Sequence, residues 1–309
     1  MLVWSLAWLM VFSTSSDPDP GPAGIPLSVG DARLHPSRMS LSCYPGETLS
    51  LSTPDSCSWA FSGGEPASCS GTSASWTAPR RHGVVRLSLS SRDAVQEYAL
   101  IILVDASRWR TTTLNSYPIG LYGDGNSRRD NPAAFIEMRQ ADAGVRLSSH
   151  FTLGEFLGHT EGCYPQYLAL DLRLVDKLET LLSSLGESYP EPLDIHVFSG
   201  FRSPEYNSSI GNETDFSAHL YGTAADIWVE SFPPNNLMDD VDRNKRIDIG
   251  DGSFIVDLTR RIEASGSVPV GGASAYRWTP QHGPFVHIDV RGRPASWQTQ
   301  LNLVPDPVI

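Results

Sequence analysis

The chain contains no Cys-x-x-Cys, no His-Glu-x-x-His, no Gly-x-Ser-x-Gly and no Ser-x-x-Lys. Those absences exclude a redox or thiolate zinc motif, a thermolysin-like metal site, a nucleophile elbow and a serine-type wall peptidase. Positive charge is scarce as well. Lys and Arg number 23 against 35 Asp and Glu, a formal charge of -12, and no basic stripe offsets it, which argues against a nucleic-acid partner. No apolar run reaches the length needed to cross a bilayer. The nearest is the apolar start of the chain, Leu2 to Phe12, followed by small residues and then Asp17-Pro-Asp-Pro. That pattern reads as a secretory signal over 1–16, although the usual basic residue ahead of it is missing. The expectation is an exported protein, periplasmic or extracellular, with no membrane span in the mature chain, and a monomer. Cysteines number only four. Cys57 and Cys69 flank a span with a Gly-Gly turn and form a disulfide candidate. Cys43 and Cys163 are left over, and four cysteines allow three pairings.

What is present divides the 309 residues into two unlike halves. Residues 17–37, rich in Pro, Gly and Asp, read as a flexible lead. From 38 to 105 short alternating runs such as Gly83-Val-Val-Arg-Leu-Ser-Leu-Ser are broken by turn residues, which predicts an all-β sandwich. With Tyr44-Pro-Gly-Glu and Trp76-Thr-Ala-Pro, the segment resembles bacterial immunoglobulin-like modules. Residues 106–146 read as a polar connector and 147–300 as a second domain, followed by a tail at 301–309. In the second domain Leu168, Leu172, Val175 and Leu182 share a helical face, with Asp171, Lys177 and Glu179 off it. Strands are expected at 193–198, 224–229 and 285–290, and a helix at 254–264. Helices and strands mix without a βαβ repeat, so the class is α+β.

Alternation within the last two strands carries the chemistry. In Phe285-Val-His-Ile-Asp-Val, Val286 and Ile288 share one face and His287 and Asp289 the other. In Ala224-Ala-Asp-Ile-Trp-Val, Ala225, Ile227 and Val229 face the core, which leaves Asp226 opposite. His219 precedes Asp226 by seven residues, across a turn at Tyr221-Gly-Thr. Two imidazoles and one carboxylate converging on a cleft, with a fourth position free, is the arrangement of catalytic zinc.

Ser199-Gly-Phe-Arg, Ser217-Ala-His-Leu-Tyr-Gly-Thr-Ala-Ala-Asp and Phe285-Val-His-Ile-Asp-Val-Arg-Gly together resemble the zinc D-Ala-D-Ala carboxypeptidase family. That family shares its fold with the hedgehog signalling domain. The resemblance implies zinc held by His219, Asp226 and His287, with Arg202 gripping a substrate carboxylate or carbonyl and His282 moving the proton. Asp289 and Ser217 would support the ligands from behind. It also implies hydrolysis of peptidoglycan stem peptides, as a carboxypeptidase or an endopeptidase. Gly271-Gly-Ala-Ser-Ala-Tyr276 departs from the Gly-Gly-Leu-Gly-x-Tyr of the family. The alternative is a non-catalytic module that keeps the metal and only binds wall peptide or a protein. Separately, Asp240, Asp242, Asn244, Asp248 and Asp251 stand at positions 1, 3, 5, 9 and 12 of a twelve-residue loop. That is the spacing of an EF-hand calcium loop, with Lys245 where glycine is usual.

Overall fold

The computed structural model describes residues 24–107, 111–123, 131–157, 164–187, 189, 191–212, 217–279 and 282–297. The expected signal at 1–16, the tail at 301–309 and Cys163 lie outside the described residues. Among the described residues, no helix is long and apolar enough to cross a membrane.

Seven strands make up the first half: β1 (Ser28–Val29), β2 (Ala32–Arg33), β3 (Ser40–Cys43), β4 (Thr48–Phe61), β5 (Ser68–Thr77), β6 (Gly83–Ser90) and β7 (Val95–Ile102). They belong to one hydrogen-bonded sheet in the order β2-β1-β4-β6-β7-β3, with β5 also on β4. The all-β reading holds, but two separate facing sheets are not what the hydrogen bonds form. The reason is β4. Its 14 residues pair with β1 at Leu51 and Ser52, with β6 at Ser58–Phe61, and with β5 along both parts. It thereby joins strands that a sandwich would divide. Alternation packs Leu49, Leu51, Trp59 and Phe61 of β4 with Trp76, Leu87, Leu89 and Leu100 into a single core.

Two sequence expectations change here. The lead is not loose up to residue 37, because Ile25 and Leu27 are buried in that core and the Tyr98 hydroxyl donates to the Ile25 carbonyl at 2.7 Å. The Ile25-Pro-Leu-Ser-Val alternation was the available signal. Nor do Cys57 and Cys69 pair. Register sets Cys57 opposite Gly71 and Cys69 opposite Trp59, so the two are diagonal neighbours, and both are free thiols.

The second half contains β8 (Val104–Asp105), β9 (Thr113–Leu114), β10 (Tyr117–Pro118), β11 (Ala134–Met138), β12 (Gln166–Leu168), α1 (Leu172–Gly186), β13 (Leu193–Ser199), α2 (Pro204–Ser209), β14 (Ala224–Ser231), α3 (Ile249–Ala264), β15 (Ala273–Tyr276) and β16 (Phe285–Asp289). The expected connector is thus partly structured. Ile119, Phe135, Ile136 and Met138 are buried in the same core as the helices, so this domain starts well before 147. The central sheet is antiparallel in the order β13-β14-β16-β15. Its core face carries Ala225, Ile227, Val229, Val286 and Ile288, packed with Leu174, Val175, Leu178 and Ile255 of α1 and α3.

Each helix has a local start signal. The Asp171 side chain accepts from Arg173 N at 3.0 Å ahead of α1, and Ser203 with Pro204 opens α2. Asp248 caps α3. The predicted helix over 168–182 begins later, since Leu168 belongs to β12. Lys177 and Glu179, expected off the apolar face, are buried. Each can be, because each has a partner: Lys177 Nζ donates to Glu263 Oε1 at 2.5 Å and to the Asp289 carbonyl at 2.8 Å, and Glu179 takes His150.

The two halves are joined by more than chain connectivity. Arg38 is 7% exposed. It donates through Nε to Asp176 Oδ1 at 2.6 Å and through its guanidinium to the Leu172 carbonyl at 2.7 Å. Ser40 Oγ donates to the Leu147 carbonyl at 2.9 Å.

Candidate metal centre

The sheet's other face carries the site. β14 and β16 are neighbours with Asp226 directly opposite His287, so two ligand-type side chains emerge side by side. His219 arrives from a short 3-10 turn, Ala218–Tyr221. That turn ends at Gly222 with φ +63°, where an added Cβ would lie 1.9 Å from the Ala169 carbonyl oxygen. Only glycine fits, which is why the His219-Leu-Tyr-Gly222 spacing matters.

The three side chains are all buried, and their donor atoms form a small triangle. His287 Nδ1 lies 2.9 Å from Asp226 Oδ1 and 3.1 Å from His219 Nε2, and His219 Nε2 lies 3.2 Å from Asp226 Oδ1. Tetrahedral zinc with N and O ligands implies ligand–ligand edges of about 3.3 Å. The donor set therefore fits zinc in both chemistry and size. The remaining ring atoms are engaged from behind. His219 Nδ1 faces the Gly200 carbonyl at 2.7 Å, and His287 Nε2 faces Asp289 Oδ2 at 3.2 Å. Asp289 in turn accepts from Gly272 N at 2.7 Å and Arg291 Nε at 2.7 Å. Such outer partners select the tautomer and hold the ring plane.

Electrostatics agree with an ionised ligand carboxylate. Burial works to raise the Asp226 carboxyl, yet His219 and His287 hold it well below the usual carboxylate range. Burial pushes His219 down. Burial also disfavours charge on His287, but its hydrogen bonds to Asp226 and Asp289 more than offset this and raise it.

The other predicted residues divide. Arg202 comes to the site, but as a partner of the ligand: it is ion-paired with Asp226 Oδ2, and its Nε donates to Ser199 Oγ at 2.8 Å. The Arg202 charge thus stabilises the Asp226 carboxylate. His282 packs edge-on to Phe285, ring centroids 4.7 Å apart, with Nδ1 2.8 Å from the Gly283 carbonyl. It stands in the turn ahead of β16, bridged to Thr279, and among the described residues it makes no hydrogen bond to the triangle. Ser217 does not support His219 through its side chain. It starts the 3-10 turn with no side-chain cap, and the Gly200 carbonyl holds the imidazole instead. Sequence reasoning passed over Gly200 because a backbone carbonyl leaves no mark in the sequence. It also passed over Trp297, whose ring lies 5.0 Å from that of His287 in a stretch with no periodicity.

In the 240–251 loop, Asp240, Asp242 and Asp251 present carboxylates within 4.8 Å of one another. Lys245 adopts φ +70°, the left-handed conformation that glycine would otherwise supply. Asp248 departs from the expected set, since its side chain caps α3 through Gly250 N at 2.7 Å. Burial pushes the Asp251 carboxyl up to about 6.

A buried triangle of two imidazoles and one carboxylate, braced from behind, is the donor set of a mononuclear metal centre in a hydrolase. Residues 149–254 match the family described as Peptidase M15. That span includes Arg202, His219 and Asp226 and ends before His287, which joins them through the β14–β16 register. No curated protein and no solved structure matches the chain.

Proposed function

We propose that the chain is a zinc peptidase that hydrolyses peptide bonds in peptidoglycan stem peptides, as a D-Ala-D-Ala carboxypeptidase or an endopeptidase, in the exported compartment where wall substrate lies. The observation that carries this reading is the His219–Asp226–His287 triangle, with edges of 2.9, 3.1 and 3.2 Å, inside a domain related to M15 peptidases. Bound zinc supplies Lewis acidity toward water and the scissile carbonyl. The chain's own residues do the rest. His219, Asp226 and His287 hold the metal, and Arg202 keeps Asp226 ionised and aligned. Gly200 and Asp289 fix the two imidazoles. His282, with Nδ1 donating to the Gly283 carbonyl, offers Nε2 for the proton transfer of the reaction. The zinc-loaded chain, incubated with purified peptidoglycan, should release D-Ala or shortened muropeptides detectable by mass spectrometry. A zinc-replete protein that leaves the sacculi intact yet binds stem peptide would make it the binding module instead.

Within the same reading the 240–251 loop takes calcium, supported by its three clustered carboxylates. Millimolar calcium should then raise the melting temperature by mass action, and Asp240→Ala with Asp242→Ala should abolish the rise. A parent melting curve indifferent to calcium would leave the loop a solvated turn.

A further inference from the structure

β15 lies beside β16, with Ser274 opposite His287 and Tyr276 opposite Phe285. Alternation therefore puts Tyr276 on the same sheet face as the metal ligands, diagonal to His287, a separation that an aromatic side chain bridges. The Tyr276 ring is stacked on Phe285, centroids 4.4 Å apart and planes 6° from parallel, so its direction is set. At the far end of the ring, Trp297 Nε1 lies 2.5 Å from the Tyr276 hydroxyl. Trp297 is itself placed by two contacts: its ring lies against His287, and its backbone N–H donates to Ser274 Oγ at 3.0 Å.

An indole N–H only donates. In the Trp297–Tyr276 pair the phenol oxygen is therefore the acceptor, and the phenol's own hydrogen remains to be given elsewhere. Among the described residues nothing takes it. Burial, with the Asp226 charge behind it, raises the Tyr276 hydroxyl above its ordinary value, so it keeps its proton at working pH. A half-buried hydroxyl that is held by its lone pair and aimed beside a ligand histidine is a prepared donor.

We propose that Tyr276 is a catalytic residue, donating a hydrogen bond to the scissile carbonyl oxygen as that oxygen gains negative charge, with Trp297 as the residue that positions it. The inference rests on the peptidase reading. In the hydrolysis, water's oxygen bonds to the carbonyl carbon, the C–N bond breaks, and water's two protons end on the product carboxyl side and the leaving amine. The phenol keeps its proton throughout and contributes only the hydrogen bond.

Tyr276→Phe keeps the ring and its stacking and removes only the hydroxyl. On a stem peptide cut by the parent, it should lower kcat by about 10²–10³-fold, the usual cost of losing one oxyanion donor. KM and zinc content should stay close to parental. A phosphinate analogue of the tetrahedral geometry should bind the variant weaker by a similar factor, while the amine product should bind equally well. Trp297→Phe should give a partial loss of the same kind. In metal-free protein, the one indole N–H resonance that disappears in Trp297→Phe should shift in Tyr276→Phe. Parental kcat in a zinc-replete Tyr276→Phe chain, or an unmoved Trp297 resonance, overturns the inference and leaves the peptidase reading intact. If the parent cuts no stem peptide, the peptidase reading falls. Equal phosphinate affinity of parent and Tyr276→Phe then overturns the inference as well.

Discussion

At the scale of single residues, Asp289 shows how much of a metal site lies outside its ligands. It is fully buried, faces His287 Nε2 and is held by Gly272, Arg291 and their backbone N–H groups. Those bonds keep its carboxyl well below the usual range, although burial alone would raise it. Asp289→Asn preserves shape and removes the charge. It should weaken zinc binding by about 10–100-fold in chelator competition, and unchanged affinity would reduce Asp289 to a packing role. His282→Ala should separate chemistry from metal binding, with zinc retained and kcat down by about 10²–10⁴-fold. Near-parental turnover would leave His282 as a wall of the aromatic cluster around Phe285. Asp226 and His287 were legible because each alternates with apolar neighbours in a period-two strand, and His219 because it stands seven residues before Asp226 across the Tyr221-Gly-Thr turn. Arg202 was legible as a residue but not in its task, since nothing in Ser199-Gly-Phe-Arg shows that its guanidinium meets Asp226. Tyr276 stood in a segment that departs from its family pattern, and only the paired strand revealed what it faces.

At the scale of elements, α1 is the hub. Its Lys177 reaches Glu263 and the end of β16, and its Glu179 holds the loop at His150. There His150 N donates to Glu179 Oε1 at 2.9 Å, and His150 Nδ1 meets Oε2 at 2.8 Å. The bond to Glu179 raises His150 against the effect of burial. Burial pushes Glu179 up, but His150 and Ser148 outweigh it and lower it. The signs give a window. The histidine's contribution is fully present below its unfolded value of about 6.5 and fades as pH rises through its higher folded value. The glutamate's contribution is present above its unfolded value and fades as pH falls through its lower folded one. The stability gap between parent and His150→Gln should thus be widest between about pH 4.5 and 6.5, and narrow above that. A gap in melting temperature that is flat from pH 5 to 9 would show that the pair carries no charge. Strands β13, β14 and β16 and the body of α3 were readable from periodicity. β9, β10 and β11 were not, because Ile119, Phe135 and Ile136 sit in runs too short and too polar to show a period.

At the scale of the molecule, the boundary between halves is where sequence and structure differ most. Composition divides sandwich from connector from peptidase, yet Arg38 crosses that division to Asp176 and Leu172, and β8 pairs with β11. Long-range ties of this sort carry no local signature. Arg38 is buried and Asp176 partly so, and losing such a tie is destabilising. A chain of residues 107–309 loses Arg38 and β8 together, and should melt well below the full chain in calorimetry. The full chain should unfold in one transition. Two separate transitions, the upper one unmoved by truncation, would show halves that fold independently.

The direct pairing of Asp226 with His287 carries one more consequence, for how the domain folds. A strand slipped by one residue turns its whole pattern over, sending His287 into the core and Val286 toward the metal. Only the correct alignment of β14 with β16 brings the three donors together, so only that alignment gains the ion's binding energy. Zinc, bound as proposed, would in this sense be a proofreader of strand pairing. Refolding in the presence of the metal would then select the native register from its neighbours before any substrate arrives.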